Sequence, residues 1–302
     1  MEGDVRSMIE VVIAVHNRRA ITLRCLELLA QQVGVTFRTT VVDDGSSDGT
    51  SEAIRARFPQ VDVLRGDGSL WWAGATNLGI QHALNRDTPA PYLLLLNDDV
   101  EFDSDYLACM ERCAMTHPDC LIGSLAVYGE DPERVFWGGQ AAPYREYRFG
   151  YVRRDCTSGC VPAQELPGRG MLVPRDVFDR IGLLDAQAFP QYSADTDFSW
   201  RARKAGYRLL CCWDTAVVAT ASQTGPGSPL RRGQDPLYVF LSSFWNARSP
   251  NYLPPMWRFC RKHRGILAPW RFALSLTRIM GREFLQRTGL INLMLPRNRQ
   301  IT

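Results

Sequence analysis

No stretch of 18 residues in this chain of 302 is free of ionisable side chains, so no membrane-spanning helix is expected. The start, Met1 to Glu10, is polar and carries Glu2 and Asp4. It lacks the basic segment and apolar core of a signal peptide, so a cytoplasmic location is expected. No G-x-G-x-x-G turn follows the first apolar run, which argues against a dinucleotide fold. No glycine-rich run ends in Gly-Lys-Ser/Thr, so there is no P-loop. There is no repeat of fixed period and no low-complexity tract. The histidines are His16, His82, His117 and His263, and none lies between Ala219 and Ser228. The nine cysteines are loosely spaced, without the tight pairs of a zinc site. Cys109, Cys113, Cys120, Cys156 and Cys160 therefore read as reduced thiols, and Cys211–Cys212 as strand packing.

Apolar residues make up 45% of the chain, enough for a true core in one large α/β domain, alone or with a smaller helical one. Charge is unevenly placed. Met256 to Thr302 holds ten Lys/Arg against Glu283 alone, which leaves the first 255 residues at −6 although the total is +3. Short apolar runs alternate with helical patterns. Strands are expected at Val11–Val15, Thr39–Val42, Val61–Leu64 and Tyr92–Leu96, with helices between them. Further on, helices are expected at Asp105–His117 and Ala194–Ala205, and strands at Leu121–Tyr128, Gly170–Val173 and Arg208–Trp213. Arg134–Arg154 reads as twisted strands or loops. Beyond Leu230 the texture is helical, broken at Pro250, Pro254, Pro255 and Pro269. Strands that are apolar throughout predict a mostly parallel sheet covered on both faces.

In such sheets ligands bind beyond the carboxyl ends of the strands. Three polar clusters fall there: His16-Asn17-Arg18, Asp43-Asp44 and Asn97-Asp98-Asp99. Carboxylates just past a buried strand suit a hard divalent cation shared with substrate phosphates. The plainer reading of Asn97-Asp98-Asp99 is a turn before the next helix. Asp43-Asp44 reads either as an Asp-Gly turn, with Asp48 capping a helix, or as an acceptor for a base N–H or ribose hydroxyls. Asp195 at a helix start reads as a cap, and Asp197 could bind acceptor hydroxyls or pair with Arg201 at i+4. Trp71, Trp72 and Trp137 are core residues or flat faces for a sugar.

Several segments together resemble the inverting family 2 glycosyltransferases of the GT-A fold. They are the opening strand through Val15 with Asn17-Arg18, Val42-Asp43-Asp44-Gly45-Ser46-Ser47-Asp48-Gly49-Thr50, and Leu95-Leu96-Asn97-Asp98-Asp99. Trp72-Ala73-Gly74-Ala75-Thr76-Asn77-Leu78-Gly79 resembles the family's Gly/Ala-rich helix start. Gly182-Leu183-Leu184-Asp185 and Ala194-Asp195-Thr196-Asp197-Phe198-Ser199-Trp200-Arg201 resemble its acceptor-side segments. The likeness runs from about Glu10 to Thr224 and includes rhamnosyltransferase-like members that build bacterial polysaccharides.

The resemblance implies a GT-A domain over 1–230, with a nucleotide-binding half (1–100) and an acceptor half (101–230), followed by a basic amphipathic helical region (231–302). It implies a UDP- or dTDP-sugar donor held by Val15, Asn17, Arg18, Asp43, Asp44, Trp72, Gly74, Asn77, Asn97 and Asp98. Mg2+ or Mn2+ would bind at Asp99, Asp195 would be the base, and a saccharide or lipid-linked saccharide acceptor would meet Trp137, Asp185 and Asp197. Two departures stand out: Asn97 replaces the first carboxylate of the metal motif, and Ala194 the glutamate before the base. A degenerate binding protein is the alternative that these departures support. A nucleotidyltransferase would need a triphosphate-binding loop near the first strand, and none is present. Gly225 to Gln234 reads as a loop closing over the donor. Arginines and aromatics after Met256 fit an anionic membrane surface, or else a helical subdomain or homodimer contact. Nucleic acid is not expected, since the body is acidic and no recognition motif is present.

Overall fold

A computed structural model describes residues 8–140, 158–219 and 235–288. The chain divides into two compact units, 1–220 and 221–302.

The first unit is built on one sheet that contains ten strands among the described residues. Its first half is parallel. β1 (Met8–Val15) pairs with β2 (Thr36–Asp43) and with β4 (Tyr92–Leu96), and β2 pairs with β3 (Asp62–Arg65). Register sets Val15 beside Asp43, Asp43 beside Arg65, and Ile13 beside Leu96. The residues that follow these strands therefore leave from one edge. Ile9, Val11, Ile13, Val41, Leu94 and Leu96 are buried, and most are fully so, as expected for strands covered on both faces. Connecting helices are α1 (Arg19–Ala30), α2 (Thr50–Arg57) and α3 (Trp71–Leu84). A Cβ at Gly79 would meet Val12 and Val42, so glycine there lets α3 lie close over β1 and β2.

The second half is mixed. After β5 (Val100–Glu101) and α4 (Tyr106–Thr116) come β6 (Cys120–Tyr128), β7 (Asp131–Trp137), β8 (Cys160–Pro162) and β9 (Met171–Pro174). Helices α5 (Arg175–Ile181) and α6 (Ala194–Lys204) lead to β10 (Arg208–Ala219). The sheet order is β3-β2-β1-β4-β9-β6-β10-β5, with β7 on β6 and β8 on β10. β9 runs antiparallel to both β4 and β6, while β10 runs parallel to β6. Because β9 is reversed, its start lies beside the end of β4, where Gly170 N–H donates to Leu95 O at 2.9 Å. Gly170 has φ +103, and a Cβ there would strike Ser124 Oγ and Tyr106 OH, so only glycine fits this junction. The part of Arg134–Arg154 past residue 140 lies outside the described residues, as do Gly225 to Gln234.

In the second unit, α7 (Leu237–Ser242), α8 (Leu253–Arg264) and α9 (Ala268–Arg287) follow one another. Pro254 and Pro255 stand in the first turn of α8, and Pro269 in that of α9. These prolines start helices rather than break them, because the first-turn N–H groups have no intrahelical partner to lose. Phe240 packs edge-on against Phe244 at 5.4 Å, and Trp257 against Phe272 at 5.5 Å. No helix among the described residues is long and apolar enough to cross a membrane.

Candidate active site

Two acidic loops meet at the edge where the parallel strands end. Asp44 N–H donates to Val15 O at 2.9 Å, which ties the loop after β2 to the end of β1. Asp43 is fully buried; its Oδ1 accepts from Ser46 N–H at 2.8 Å and its Oδ2 from Ser51 Oγ. Both oxygens thus shape the turn into α2. Asp44 accepts from Gly68 N–H and Trp71 N–H, each at 2.9 Å, and so holds the loop before α3. Asn17 adopts φ +52, and its Oδ1 accepts from Ser47 N–H at 2.8 Å. Asp48 accepts from Arg19 N–H at 3.0 Å and from Thr50, bridging the starts of α1 and α2. Desolvation works against the Asp48 carboxylate, but these hydrogen bonds outweigh it and hold the group below its usual range.

Arg18 reaches the second loop. Its Nη1 is 3.1 Å from Asp98 Oδ1 and its Nη2 is 3.2 Å from Asp99 Oδ2. Asp98 is nearly inaccessible and also lies 3.0 Å from Thr22 Oγ1. Burial pushes its carboxyl up to about 6, Arg18 opposing and Asp99 adding to the rise. Asp99 is more open, its side chain 18% exposed. Of the three residues in this turn, Asp99 is the one that presents a carboxylate outward. Asn97 turns the other way, its Oδ1 accepting from Trp72 Nε1 at 3.0 Å.

Trp72 links the two halves of the crevice. Its N–H donates to Gln191 Oε1 at 3.2 Å, and Ala73 N–H donates to Pro190 O at 2.8 Å. Gly168 packs so close to Trp72 that a Cβ there would collide with its ring. Gly168 N–H donates to Asp195 Oδ2 at 3.0 Å, while Asp195 Oδ1 accepts from Thr196 N–H at 2.8 Å. Asp195 is therefore joined to Asn97 through Gly168 and Trp72. It stands in the first turn of α6, after Ser193 at φ +71. Among the described residues the non-glycine residues with positive φ are Asn17, Trp71 and Ser193, all at segments that border the crevice. Left-handed backbone of this kind is held only where its surroundings fix it.

Other residues are spent inside the fold. Asn77 Nδ2 donates to Leu184 O at 2.8 Å and its Oδ1 accepts from Leu184 N–H at 3.0 Å, clasping α3 to the 182–185 turn. Gly74 N–H continues the first turn of α3, donating to Leu70 O at 3.1 Å. Asp185 Oδ1 accepts from Ala188 N–H at 3.1 Å. Asp197 is fully buried and takes Arg201 Nε at 2.8 Å, while Arg201 also donates to Ile181 O and Leu183 O. Trp137 packs beside Gly123 in β6 and joins the core.

Sequence reasoning missed Gly168, Arg169, Gln191 and Tyr192. Tyr192 sits close enough to Asp99, Arg169 and Arg18 to feel their charges, and burial first, then Asp99, pushes its phenol up. The signal available was Gly168-Arg169-Gly170, two glycines flanking an arginine just before β9.

The chain matches the model for glycosyl transferase family 2 over residues 10–182. It is 26% identical over 237 residues to the N-acetylglucosaminyl-diphospho-decaprenol L-rhamnosyltransferase of Mycobacterium tuberculosis, covering 68% of this chain and 76% of that one. Among solved structures it resembles GalNAc-T7 with UDP, GalNAc and Mn2+, at TM-score 0.58 and 15% identity. That match covers 87% of this chain but only 53% of GalNAc-T7. It also resembles the mannosyltransferase PcManGT from Pyrobaculum calidifontis in complex with GDP-Man and Mn2+. There the TM-score is 0.58 and the identity 16%, over 97% of this chain and 82% of the other. The fold is thus the GT-A fold, and the chain belongs to glycosyltransferase family 2.

Proposed function

We propose that this glycosyltransferase moves a sugar, with inversion, from a UDP- or dTDP-sugar to a saccharide on a lipid-linked carrier during surface polysaccharide synthesis. The observation that carries this reading is the chain of contacts from Asn97 through Trp72 and Gly168 to Asp195. It couples the carboxylate turn after β4, suited to a donor diphosphate, to a carboxylate poised for an acceptor hydroxyl. The mycobacterial relative, whose name states a decaprenol-linked acceptor, supports the lipid carrier.

Each residue then has a task. Asp195 takes the proton of the acceptor hydroxyl as its oxygen attacks the anomeric carbon. A general base in that position contributes roughly 10²–10⁴-fold. Its two backbone N–H contacts fix its orientation and leave lone pairs free for the acceptor. Arg18 stands on both Asp98 and Asp99 and holds the two carboxylates of this turn in place beside the diphosphate position. Asp99 fits Mg2+ or Mn2+, which need one or two carboxylates beside substrate phosphates. When bound, the metal supplies positive charge to the leaving diphosphate. Asp43 and Asp44 act through the loops they hold. Trp71, 37% exposed and anchored at its N–H by Asp44, offers the open aromatic face for the base or sugar. The basic second unit would meet the anionic face of the membrane that carries the acceptor.

The test is melting temperature against UDP, dTDP, GDP and CMP, each with and without Mn2+. A ligand that binds the folded state stabilises it by about 2.7 kcal/mol at 100 times its Kd. A metal-dependent rise with UDP or dTDP alone is expected. A rise with GDP alone would contradict the donor. No rise with any nucleotide would favour a degenerate binding protein.

A further inference from the structure

Three cysteines far apart in sequence converge outside the crevice. Cys113 lies in α4, Cys160 opens β8, and Cys212 lies in β10. Cys212 and Cys160 face each other across the antiparallel β10–β8 ladder. The flanking bonds, Trp213 N–H to Gly159 O and Ala163 N–H to Leu209 O, make theirs a non-hydrogen-bonded pair, whose side chains stand closer than those of the other kind. Cys113 Sγ is 2.9 Å from Cys212 Sγ. Just beyond Cys212 the β10–β6 register shifts, so that Trp213, Asp214 and Thr215 bulge from the ladder. Bulges re-aim side chains. Here an oxygen of Asp214 lies within 4.8 Å of the Cys113 and Cys212 sulfurs, and Oδ1 accepts from Gly159 N–H at 2.7 Å.

We propose that Cys113, Cys160, Cys212 and Asp214 form a structural zinc site, three thiolates and one carboxylate around one ion. Soft sulfur ligands favour zinc over Mg2+ or Mn2+, and four ligands complete its preferred tetrahedron. Tetrahedral zinc–thiolate bonds of about 2.3 Å set sulfurs about 3.8 Å apart, so Cys113 and Cys212 must part by about 0.9 Å. A disulfide would have to draw them together to about 2.0 Å instead. It would also leave Cys160 and Asp214 outside the bond, whereas zinc uses all four. Asp214 is exposed and Cys160 half-buried, which gives the ion an entry side, while Cys113 and Cys212 are buried. The site would pin α4 to β8 and β10, a clamp independent of the crevice residues.

The experiment is metal analysis of the full-length chain purified without chelators, followed by Co2+ replacement of the zinc, all without nucleotide. One zinc per chain is expected, with thiolate-to-cobalt charge-transfer absorption after replacement. Cys160→Ser, at a half-exposed position, and Asp214→Asn, which keeps an oxygen for Gly159 N–H, should weaken zinc binding. Outer-shell partners alone cost about 10–100-fold, so loss of a ligand should cost at least that. Asp99→Asn should leave zinc content unchanged. Absence of both zinc and the charge-transfer band in a folded, fully reduced chain would overturn the proposal. So would zinc retained undiminished in both ligand variants. A Cys113–Cys212 disulfide found by peptide mapping would also overturn it, making the pair a redox couple.

Discussion

At the scale of single residues, the buried carboxyl of Asp98 gives a signed prediction. Its folded-state value of about 6 lies above the ordinary value of 3.8. Between these values the folded chain binds a proton that the unfolded chain releases. The stability this residue contributes is therefore present below pH 4 and lost as pH rises through 6. The loss is on the order of 3 kcal/mol. Asp98→Asn keeps the shape without the titration, so its stability relative to the parent should climb by that amount between pH 4 and 7 in urea unfolding. Parallel profiles would contradict the burial argument. The placement of Asp98, Asp99 and Asp195 was legible because two lie just past a strand and one starts a helix. What each side chain touches was not. Asp43 was expected to shape a turn or face the donor, Asn77 to face the donor, and Asp197 to meet an acceptor or pair with Arg201; their polar atoms meet the protein's own Ser46, Ser51, Leu184 and Arg201. The turn contact of Asp43 and the i+4 pair of Asp197 with Arg201 are local, whereas Asn77 meets Leu184 107 positions away, where no local pattern reaches.

At the scale of elements, the turn before β9 orients Asp195. Gly168→Ala would drive a methyl into the Trp72 ring, loosen Trp72 from Asn97 and shift the N–H that orients Asp195. Misplacement by about 1 Å can cost roughly 10²-fold in rate, so turnover should fall by that order while the chain still folds. A fully active variant would remove Gly168 from the positioning chain. The parallel strands β1 to β4 were legible because unbroken apolar runs between helices leave few other arrangements. The direction of β9 was not, since Met171-Leu172-Val173-Pro174 reads the same for either orientation. β10 was expected to end at Trp213 and continues to Ala219, because polar Asp214 and Thr215 on the bulge interrupt the apolar pattern. The thiol cluster escaped notice for the same reason as the side-chain partners: Cys113 and Cys212 are 99 positions apart.

At the scale of the molecule, the second unit combines Arg261, Arg264, Arg271 and Arg278 with exposed Ile266, Leu267, Trp270, Met280 and Phe284. Arginine beside exposed aromatics suits an anionic lipid surface, each basic residue near it adding about 1 kcal/mol. The chain should sediment with vesicles containing anionic lipid, release them as salt rises, and lose binding in Arg271→Glu/Arg278→Glu. Equal binding to neutral vesicles would contradict the charge argument, and no vesicle binding with a dimer in solution would assign this face to a partner subunit.

The central claim is that Asp195 is the base of a transfer whose donor site lies across Trp72. The most direct measurement is turnover of Asp195→Asn alongside its melting shift with donor nucleotide and Mn2+. The account predicts a loss of about 10²–10⁴-fold in turnover with the nucleotide-induced shift unchanged. An active Asp195→Asn enzyme would contradict it, as would a variant whose donor binding is lost together with turnover.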